Sequence, residues 1–108
     1  MFGFGKKVDE VTPDDLAKLL DEGTVALIDV REPAEFAAGH IAGATNLPLS
    51  RFDVAALPDD GRNVILYCAA GGRSGTAVGR CRGNRDDVTT HLAGGIGTWA
   101  RSGRPLVR

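Results

Sequence analysis

A cysteine and an arginine stand where an apolar run gives way to small residues, and these residue types at this spacing could perform nucleophilic or anion-binding chemistry. Cys68 follows Val64–Tyr67, a run that predicts a buried strand. Ala69–Gly72 are small enough for the backbone to wrap closely around a sulfur atom, and Arg73 follows them. Backbone N–H groups and a guanidinium both favour a thiolate over a thiol. The pattern therefore predicts a reactive cysteine rather than a small core residue.

A helix is expected directly after this segment, which we call the cysteine loop (Cys68–Ser74). Ser74 is a good N-cap residue, so the helix is predicted to run from about Ser74 to Arg82. The unpaired N–H groups of its first turn and its dipole would favour an anion nearby. Cys81 shares a helix face with Ala77 and Val78, which predicts a core position rather than a second, resolving thiol.

Two histidines and one cluster of charged residues leave other chemistry open. His40 and His91 are candidates for a Cys–His pair of the protease kind, which sequence separation neither supports nor excludes. Each precedes an apolar residue near an element boundary, which favours a hydrogen-bonded structural role. Asp29, Arg31 and Glu35 could form an acid/base cluster. Ion pairs that join a strand end to the next turn are the favoured interpretation of these three residues.

Nucleotide, metal and cofactor sites are not expected. Gly71–Thr76 superficially resembles a phosphate-binding loop, but the ending GK[ST] is absent. Cys68 and Cys81 form no CxxC pair, so the sequence predicts neither a metal site nor a disulfide framework.

The composition is that of one ordinary globular domain spanning residues 1–108. Hydrophobic residues make up 43% and charged residues 25%, and the net charge of −1 favours neither a nucleic-acid nor a membrane partner. The longest apolar stretch, Val64–Ala70, is too short to span a bilayer. Residues 1–7 lack the apolar core of a signal peptide and are predicted to be a flexible end. A cytoplasmic location is expected.

Strand-like and helix-like segments alternate along the chain, which predicts an α/β domain with a mostly parallel sheet. Cys68 is expected at the carboxyl end of a strand, where such sheets bind their ligands. The other predicted elements are helices from Thr12 to Gly23, Pro33–Ala38, Ser50–Leu57 and Ile96–Arg101, and strands at Val25–Val30, Ala44–Pro48 and Val88–Leu92.

Two stretches together resemble the rhodanese-like sulfurtransferase family. One lies within Leu27–Pro48 and reads DVRxxxEFxxGHIxGAxN, and the other is Tyr67–Ser74, supported by His91–Trp99. The similarity extends from Val11 to Pro105. It implies a single-domain rhodanese fold, in which a central, mostly parallel sheet of five strands is flanked by helices on both faces. It also implies structural roles for four residues of the first stretch, Asp29, Arg31, Glu35 and His40.

The resemblance further implies that Cys68 carries a sulfane sulfur as a persulfide, received from thiosulfate or a thiol persulfide and passed to a thiol, cyanide or protein acceptor without a cofactor. The family often shows CRxGxRS, and Gly71 and Arg73 match this pattern, but Ala69 replaces the first arginine. The missing charge predicts weaker use of thiosulfate. The implied substrate- or anion-binding loop comprises Ala69, Ala70, Gly71, Gly72, Arg73 and Ser74.

Two other functions are compatible with such a domain. A Cdc25-like phosphatase or arsenate reductase needs five residues between its cysteine and arginine, whereas Ala69–Gly72 supply four, and the histidine that often precedes the cysteine is Tyr67. A loop this small suits a sulfur atom better than a phosphate. The second alternative is a non-catalytic or redox-regulatory sulfur carrier or binding module.

Overall fold

The computed structural model describes residues 8–108; residues 1–7, for which a flexible end is predicted, lie outside the described residues. The strands are β1 (Asp9–Val11), β2 (Val25–Asp29), β3 (Thr45–Asn46), β4 (Asn63–Tyr67) and β5 (Thr90–Leu92). The α-helices are α1 (Pro13–Glu22), α2 (Pro33–Ala38), α3 (Gly72–Cys81) and α4 (Gly95–Arg101), and two 3-10 turns span Leu49–Arg51 and Val54–Ala56.

The five strands form one sheet in the order β1-β5-β4-β2-β3, and every neighbouring pair runs parallel. Leu66 of the central strand β4 is in register with Ile28 of β2 on one side and with His91 of β5 on the other. This arrangement confirms the predicted α/β fold and the five-stranded parallel sheet. It also brings the residues that follow β2, β4 and β5 to one edge of the sheet.

Both faces of the sheet are covered, because β4 sends alternate side chains to two hydrophobic clusters. Val64 and Leu66 pack with Ala77, Val78 and Cys81 of α3. On the opposite face, Ile65 and Tyr67 belong to the cluster that contains residues of α1 and α4, namely Leu16, Ile96 and Trp99. Full burial of one such aliphatic side chain stabilises a fold by roughly 1.5–3 kcal/mol. Helices therefore pack on both faces of the sheet, as the sequence predicts, and they fix the position of β4, the strand that ends immediately before Cys68.

Helix α1 begins and ends where its local sequence indicates. The Thr12 hydroxyl accepts a hydrogen bond from the Asp15 N–H at 3.1 Å, and Pro13 occupies the first helical position. Gly23 ends the helix with φ of 74°, a left-handed conformation that favours glycine. The predicted helix between Thr12 and Gly23 is confirmed.

The prediction of a helix from Ser50 to Leu57 is wrong. The chain instead forms two separate 3-10 turns, with Phe52 and Asp53 in extended conformations between them. The Asp53 carboxylate accepts a hydrogen bond from the Ala55 N–H at 3.0 Å, a local contact that competes with a continuous helix. The Ser50 hydroxyl donates to Glu32 at 2.7 Å rather than capping a helix.

Two strands at one side of the sheet differ from the sequence analysis. β1 is not predicted at all, because two of its three residues, Asp9 and Glu10, are charged and the segment shows no apolar alternation. β5 is shorter than the predicted Val88–Leu92, since the Val88 N–H donates to Arg85 O in a turn. Within residues 8–108, every helix is too short or too polar to cross a membrane.

Candidate active site

Cys68 lies directly after β4 and is only 1% exposed. Its carbonyl oxygen accepts a hydrogen bond from the Ile96 N–H at 2.9 Å, and Ala69 O accepts one from the Gly97 N–H at 3.2 Å. The first turn of α4 therefore holds the start of the cysteine loop from the side. Gly95 makes this approach feasible: its φ is 64°, and a Cβ there would lie 2.6 Å from the carbonyl carbon of Ala69.

The helix after the loop begins two residues earlier than predicted, and Ser74 is not its N-cap. Gly71 caps α3 with φ of 115°, a conformation that few other residues adopt, so the first helical residue is Gly72. Ser74 instead lies in the first turn and is fully buried. Its hydroxyl is 3.2 Å from Gly71 O, which accepts a hydrogen bond from it, and 3.5 Å from Cys68 Sγ.

The surroundings of the Cys68 sulfur favour its anionic form. The Gly71 N–H donates a hydrogen bond to Sγ at 3.1 Å. Burial of the sulfur by itself raises the pKa of a thiol, but hydrogen bonds from the Ser74 side chain and from the backbone of Ser74, Gly71 and Ala70 outweigh burial, so the pKa of Cys68 is lowered. The loop therefore stabilises a thiolate through the Ser74 hydroxyl together with several backbone donors.

Arg73 points its guanidinium at a carboxylate rather than forming a hydrogen bond with the sulfur. Its Nη1 and Nη2 donate to Glu35 Oε1 and Oε2 at 2.7 and 2.9 Å. These bonds lower the pKa of Glu35 to about 2, so both groups are charged at neutral pH. Hydrogen bonds to Glu35 likewise raise the pKa of Arg73, and the charge of Cys68 contributes in the same direction. Arg73 thus acts on Cys68 through its field, which Glu35 partly offsets.

Asp29 and Arg31 form a buried ion pair at the end of β2. Asp29 is fully buried, and its carboxylate accepts bonds from Arg31 Nε and Nη2, the latter at 2.7 Å. Arg31 Nη2 also donates to Gly39 O at 2.7 Å, and the Arg31 guanidinium carbon lies 5.8 Å from the Tyr67 ring centroid. These two residues therefore join the end of β2 to the turn after α2, whereas Glu35 belongs to the pair with Arg73.

His40 lies at the end of α2 and contacts the C-terminal segment. Its ring stacks on Phe36 with 3.7 Å between centroids, and Nδ1 lies 2.9 Å from Phe36 O. Its backbone forms an antiparallel bridge with Val107, with both hydrogen bonds at 2.8 Å. The contacts of His40 are structural ones.

His91 is brought next to the cysteine loop, a placement that the sequence left open. Its Nδ1 lies 2.7 Å from Ser74 Oγ, and its Nε2 lies 3.2 Å from Oε2 of Glu10 on β1. Glu10 was missed, since β1 has no sequence signal. The carboxylate, the imidazole, the hydroxyl and the Cys68 sulfur thus form one continuous series, which we call the Glu10–Cys68 chain.

Cys81 lies apart from this series, on the face of α3 that packs against the sheet. It is fully buried beside Ala77 and Val78, as the sequence predicts for a core residue. Burial raises the pKa of its thiol, which makes it a poor nucleophile. Both cysteines are free, and no group of three or more potential metal ligands occurs among residues 8–108.

Comparisons with known proteins agree with this geometry. The family model described as the rhodanese-like domain matches residues 12–102. A protein of Allochromatium vinosum named sulfurtransferase is 37% identical over 103 residues, covering 93% of this chain and 95% of that protein. The crystal structure of a rhodanese-related protein from Thermoplasma volcanium superposes with a TM-score of 0.78 at 30% identity, covering 92% of this chain and 97% of the other.

Some relatives are considerably longer. The Synechocystis protein slr1261 is 39% identical over 99 residues, which represent 91% of this chain but 55% of that protein. The chain thus spans about half the length of this curated relative. The match of the family model across most of the chain, the similar curated proteins and the shared fold lead to one conclusion: the chain belongs to the rhodanese-like family.

Proposed function

We propose that the chain is a sulfurtransferase that carries a sulfane sulfur as a persulfide on Cys68. The observation that carries this proposal is the position of the sulfur, which is buried at the end of β4 with the Gly71 N–H 3.1 Å away and the Ser74 hydroxyl 3.5 Å away. These donors stabilise a negative charge on sulfur before and after the transfer, in the manner of an oxyanion hole.

In the first half-reaction, the Cys68 thiolate attacks the outer sulfur of the donor. A sulfur–sulfur bond to Cys68 forms while the bond to the rest of the donor breaks, and the leaving group departs with the bonding electron pair. Thiosulfate would release sulfite, and a thiol persulfide would release a thiolate. No net oxidant is needed, because the donor brings its sulfur already in the sulfane state.

In the second half-reaction, a thiolate, cyanide or a protein cysteine attacks the outer sulfur of the Cys68 persulfide. The bond between the two sulfurs breaks, and Cys68 leaves as a thiolate that the loop donors again stabilise. The same group thus serves first as nucleophile and then as leaving group, which predicts ping-pong kinetics.

The charges around the loop favour donors that carry less charge than thiosulfate. Glu35 offsets the charge of Arg73, and Ala69, which is half-buried, brings none. A dianion therefore finds little net positive charge at the loop, whereas a low-molecular-weight thiol persulfide depends less on it. Both cysteines are free thiols, which supports a reducing, cytoplasmic setting for the reaction.

The decisive experiment is intact-mass measurement of the wild-type chain and of the matched variants Cys68→Ser and Cys81→Ser. The wild type and Cys81→Ser are expected to gain the mass of one sulfur atom with thiosulfate or a thiol persulfide and to lose it to cyanide or a thiol. Cys68→Ser is expected to gain nothing. If the wild type gained no mass with thiosulfate and none with a thiol persulfide, the proposal would be overturned. If the mass were gained but no acceptor removed it, the chain would bind sulfur without transferring it.

A further inference from the structure

We propose that His91 is the base that takes the Cys68 proton through the Ser74 hydroxyl, and that Glu10 holds the resulting imidazolium. This inference deepens the proposed function, on which its biological role rests, because it assigns how the nucleophile is generated. It makes His91 and Glu10 positioning and charge-setting residues that act through Ser74 rather than on the substrate.

The geometry of the Glu10–Cys68 chain is continuous and largely shielded from water. Successive heavy-atom distances are 3.5 Å from Cys68 Sγ to Ser74 Oγ, 2.7 Å from Oγ to His91 Nδ1 and 3.2 Å from Nε2 to Glu10 Oε2. Ser74 is fully buried and His91 is 6% exposed, while the Glu10 side chain reaches solvent. A proton can therefore pass between the thiol and the ring without a water molecule.

The protons balance along this series. In the neutral state, the thiol donates to Ser74 Oγ, and Nε2–H donates to Glu10. The single Ser74 hydroxyl proton is then donated to His91 Nδ1 at 2.7 Å instead of to Gly71 O at 3.2 Å. On transfer, the S–H bond breaks and Ser74 Oγ takes that proton while giving its own to Nδ1. The hydroxyl then donates to the thiolate, and both ring nitrogens carry protons. One negative charge appears on sulfur and one positive charge on the ring, and the charge of Ser74 is unchanged.

The groups around the His91 ring and the Cys68 sulfur give Glu10 a specific role, which is to stabilise the positive charge on the ring. The His91 ring packs against the start of α3, where a Cβ on Gly71 or Gly75 would lie 3.8 or 3.9 Å from its Cε1. A helix N-terminus disfavours a cation, so Glu10 is the group that favours the protonated ring. On the loop side, the charged neighbour of Cys68 is Arg73 with its partner Glu35, and that pair is independent of His91.

A purely structural His91 would hold the Ser74 hydroxyl without responding to the charge of Cys68. The two interpretations differ in linkage: if the ring and the thiol exchange a proton, the state of each must change that of the other by the same free energy. The readouts are therefore the alkylation of Cys68 by iodoacetamide as a function of pH and the 15N chemical shifts of the His91 ring, which report how many of its nitrogens carry protons.

The variants are Glu10→Gln, Ser74→Ala and His91→Gln, each checked for folding by circular dichroism. Well below the pKa of Cys68, His91→Gln and Ser74→Ala should slow alkylation about tenfold, while the rate at high pH stays unchanged. Glu10→Gln should slow it less. The matched controls are Asp9→Asn, which removes a neighbouring β1 carboxylate bonded to Thr89, and Thr76→Ala, which removes another α3 hydroxyl. Both controls should follow the wild-type profile.

The reciprocal arm uses Cys68→Ser, which should lower the protonated fraction of the His91 ring at fixed pH. Superimposable alkylation profiles for the wild type and folded His91→Gln, or a ring unaffected by Cys68→Ser, would overturn the proposal. If His91→Gln fails to fold, Glu10→Gln decides in its place, because Ser74→Ala also removes the direct hydrogen bond between Ser74 and the Cys68 sulfur. None of these readouts involves sulfur transfer, so loss of the proton relay and loss of the proposed sulfurtransferase activity are distinguishable.

Discussion

The Arg73 guanidinium and the Glu35 carboxylate face each other with two parallel hydrogen bonds of 2.7 and 2.9 Å. This pair joins the cysteine loop to α2, and so connects the two stretches of sequence that carry the family resemblance. Both side chains are more than a third exposed, at 36% and 38%, so the pair adds only about 0–1 kcal/mol to the free energy of unfolding. Its larger consequence is electrostatic, because Glu35 weakens the positive field that Arg73 exerts at Cys68.

Removing Arg73 should lower the reactivity of Cys68, whereas removing Glu35 should raise it. Arg73→Ala removes the cation and leaves a carboxylate near the sulfur, so the pKa of Cys68 should rise and alkylation at neutral pH should slow about two- to fivefold. Glu35→Gln releases the guanidinium charge and should speed alkylation by a similar factor. The measurement is the iodoacetamide rate against pH, with Arg62→Ala, which breaks the exposed pair with Asp60, as the control. Changes of the same sign in both variants would contradict this account.

Glu35 should also leave a signature in the acid stability of the fold. Its pKa is lowered to about 2 in the folded chain, so its contribution is present above its ordinary value near 4.5 and is lost as the pH falls towards 2. Because the side chain is partly exposed, we expect a contribution of about 1 kcal/mol or less. Urea unfolding of the wild type and Glu35→Gln should show a difference at pH 6 that disappears by pH 2. A difference that persists at pH 2 would assign the stabilisation to packing.

Cys68 and Cys81 should separate activity from stability. Cys68→Ser is expected to abolish sulfur transfer with little change in the far-ultraviolet circular dichroism spectrum. Cys81→Ser should retain turnover but lose about 1 kcal/mol of unfolding free energy, because a hydroxyl replaces a buried thiol in the α3 cluster. Loss of activity in a folded Cys81→Ser protein would indicate a mechanism that uses both cysteines.

Gly95 should be the glycine least tolerant of a side chain. In Gly95→Ala the new Cβ would overlap Cys68 O and lie 2.6 Å from Ala69 O, backbone atoms that cannot move without displacing the cysteine loop. We expect a loss of about 2–4 kcal/mol in unfolding free energy together with slower alkylation of Cys68. The control is Gly103→Ala, which shares a positive φ of 85° but has open space around it, and so should cost about 1–2 kcal/mol. Equal losses would show that backbone strain alone is measured.

The parts of the fold that sequence predicts well are those that local chemistry determines. Thr12 and Gly23 mark the ends of α1, and the apolar run before Cys68 marks β4, because caps and periodicity act within a few residues. The Glu10–His91 contact joins residues 81 positions apart, so no local sequence pattern predicts it. The start of α3 differs from the prediction for a related reason. Ser74 is a good N-cap residue in isolation, but Gly71, with its positive φ, caps the helix earlier, and the Ser74 hydroxyl contacts His91 instead.

The half-buried Ala69 gives a direct test of donor preference. Ala69→Arg supplies the cation that the family often has after its cysteine. Glu35 already forms an ion pair with Arg73, so we do not expect it to pair with the new guanidinium. The KM for thiosulfate should fall about two- to fivefold, since a partly exposed charge contact is worth about 0.5–1 kcal/mol. The gain should shrink as salt is raised, because ions screen exposed charges. For an uncharged persulfide donor, KM should stay the same. Ala55→Arg, which adds the same charge on the 3-10 turn Val54–Ala56, is the control for net charge. Equal improvement with both donors, or none with thiosulfate at low salt, would show that donor preference is set elsewhere.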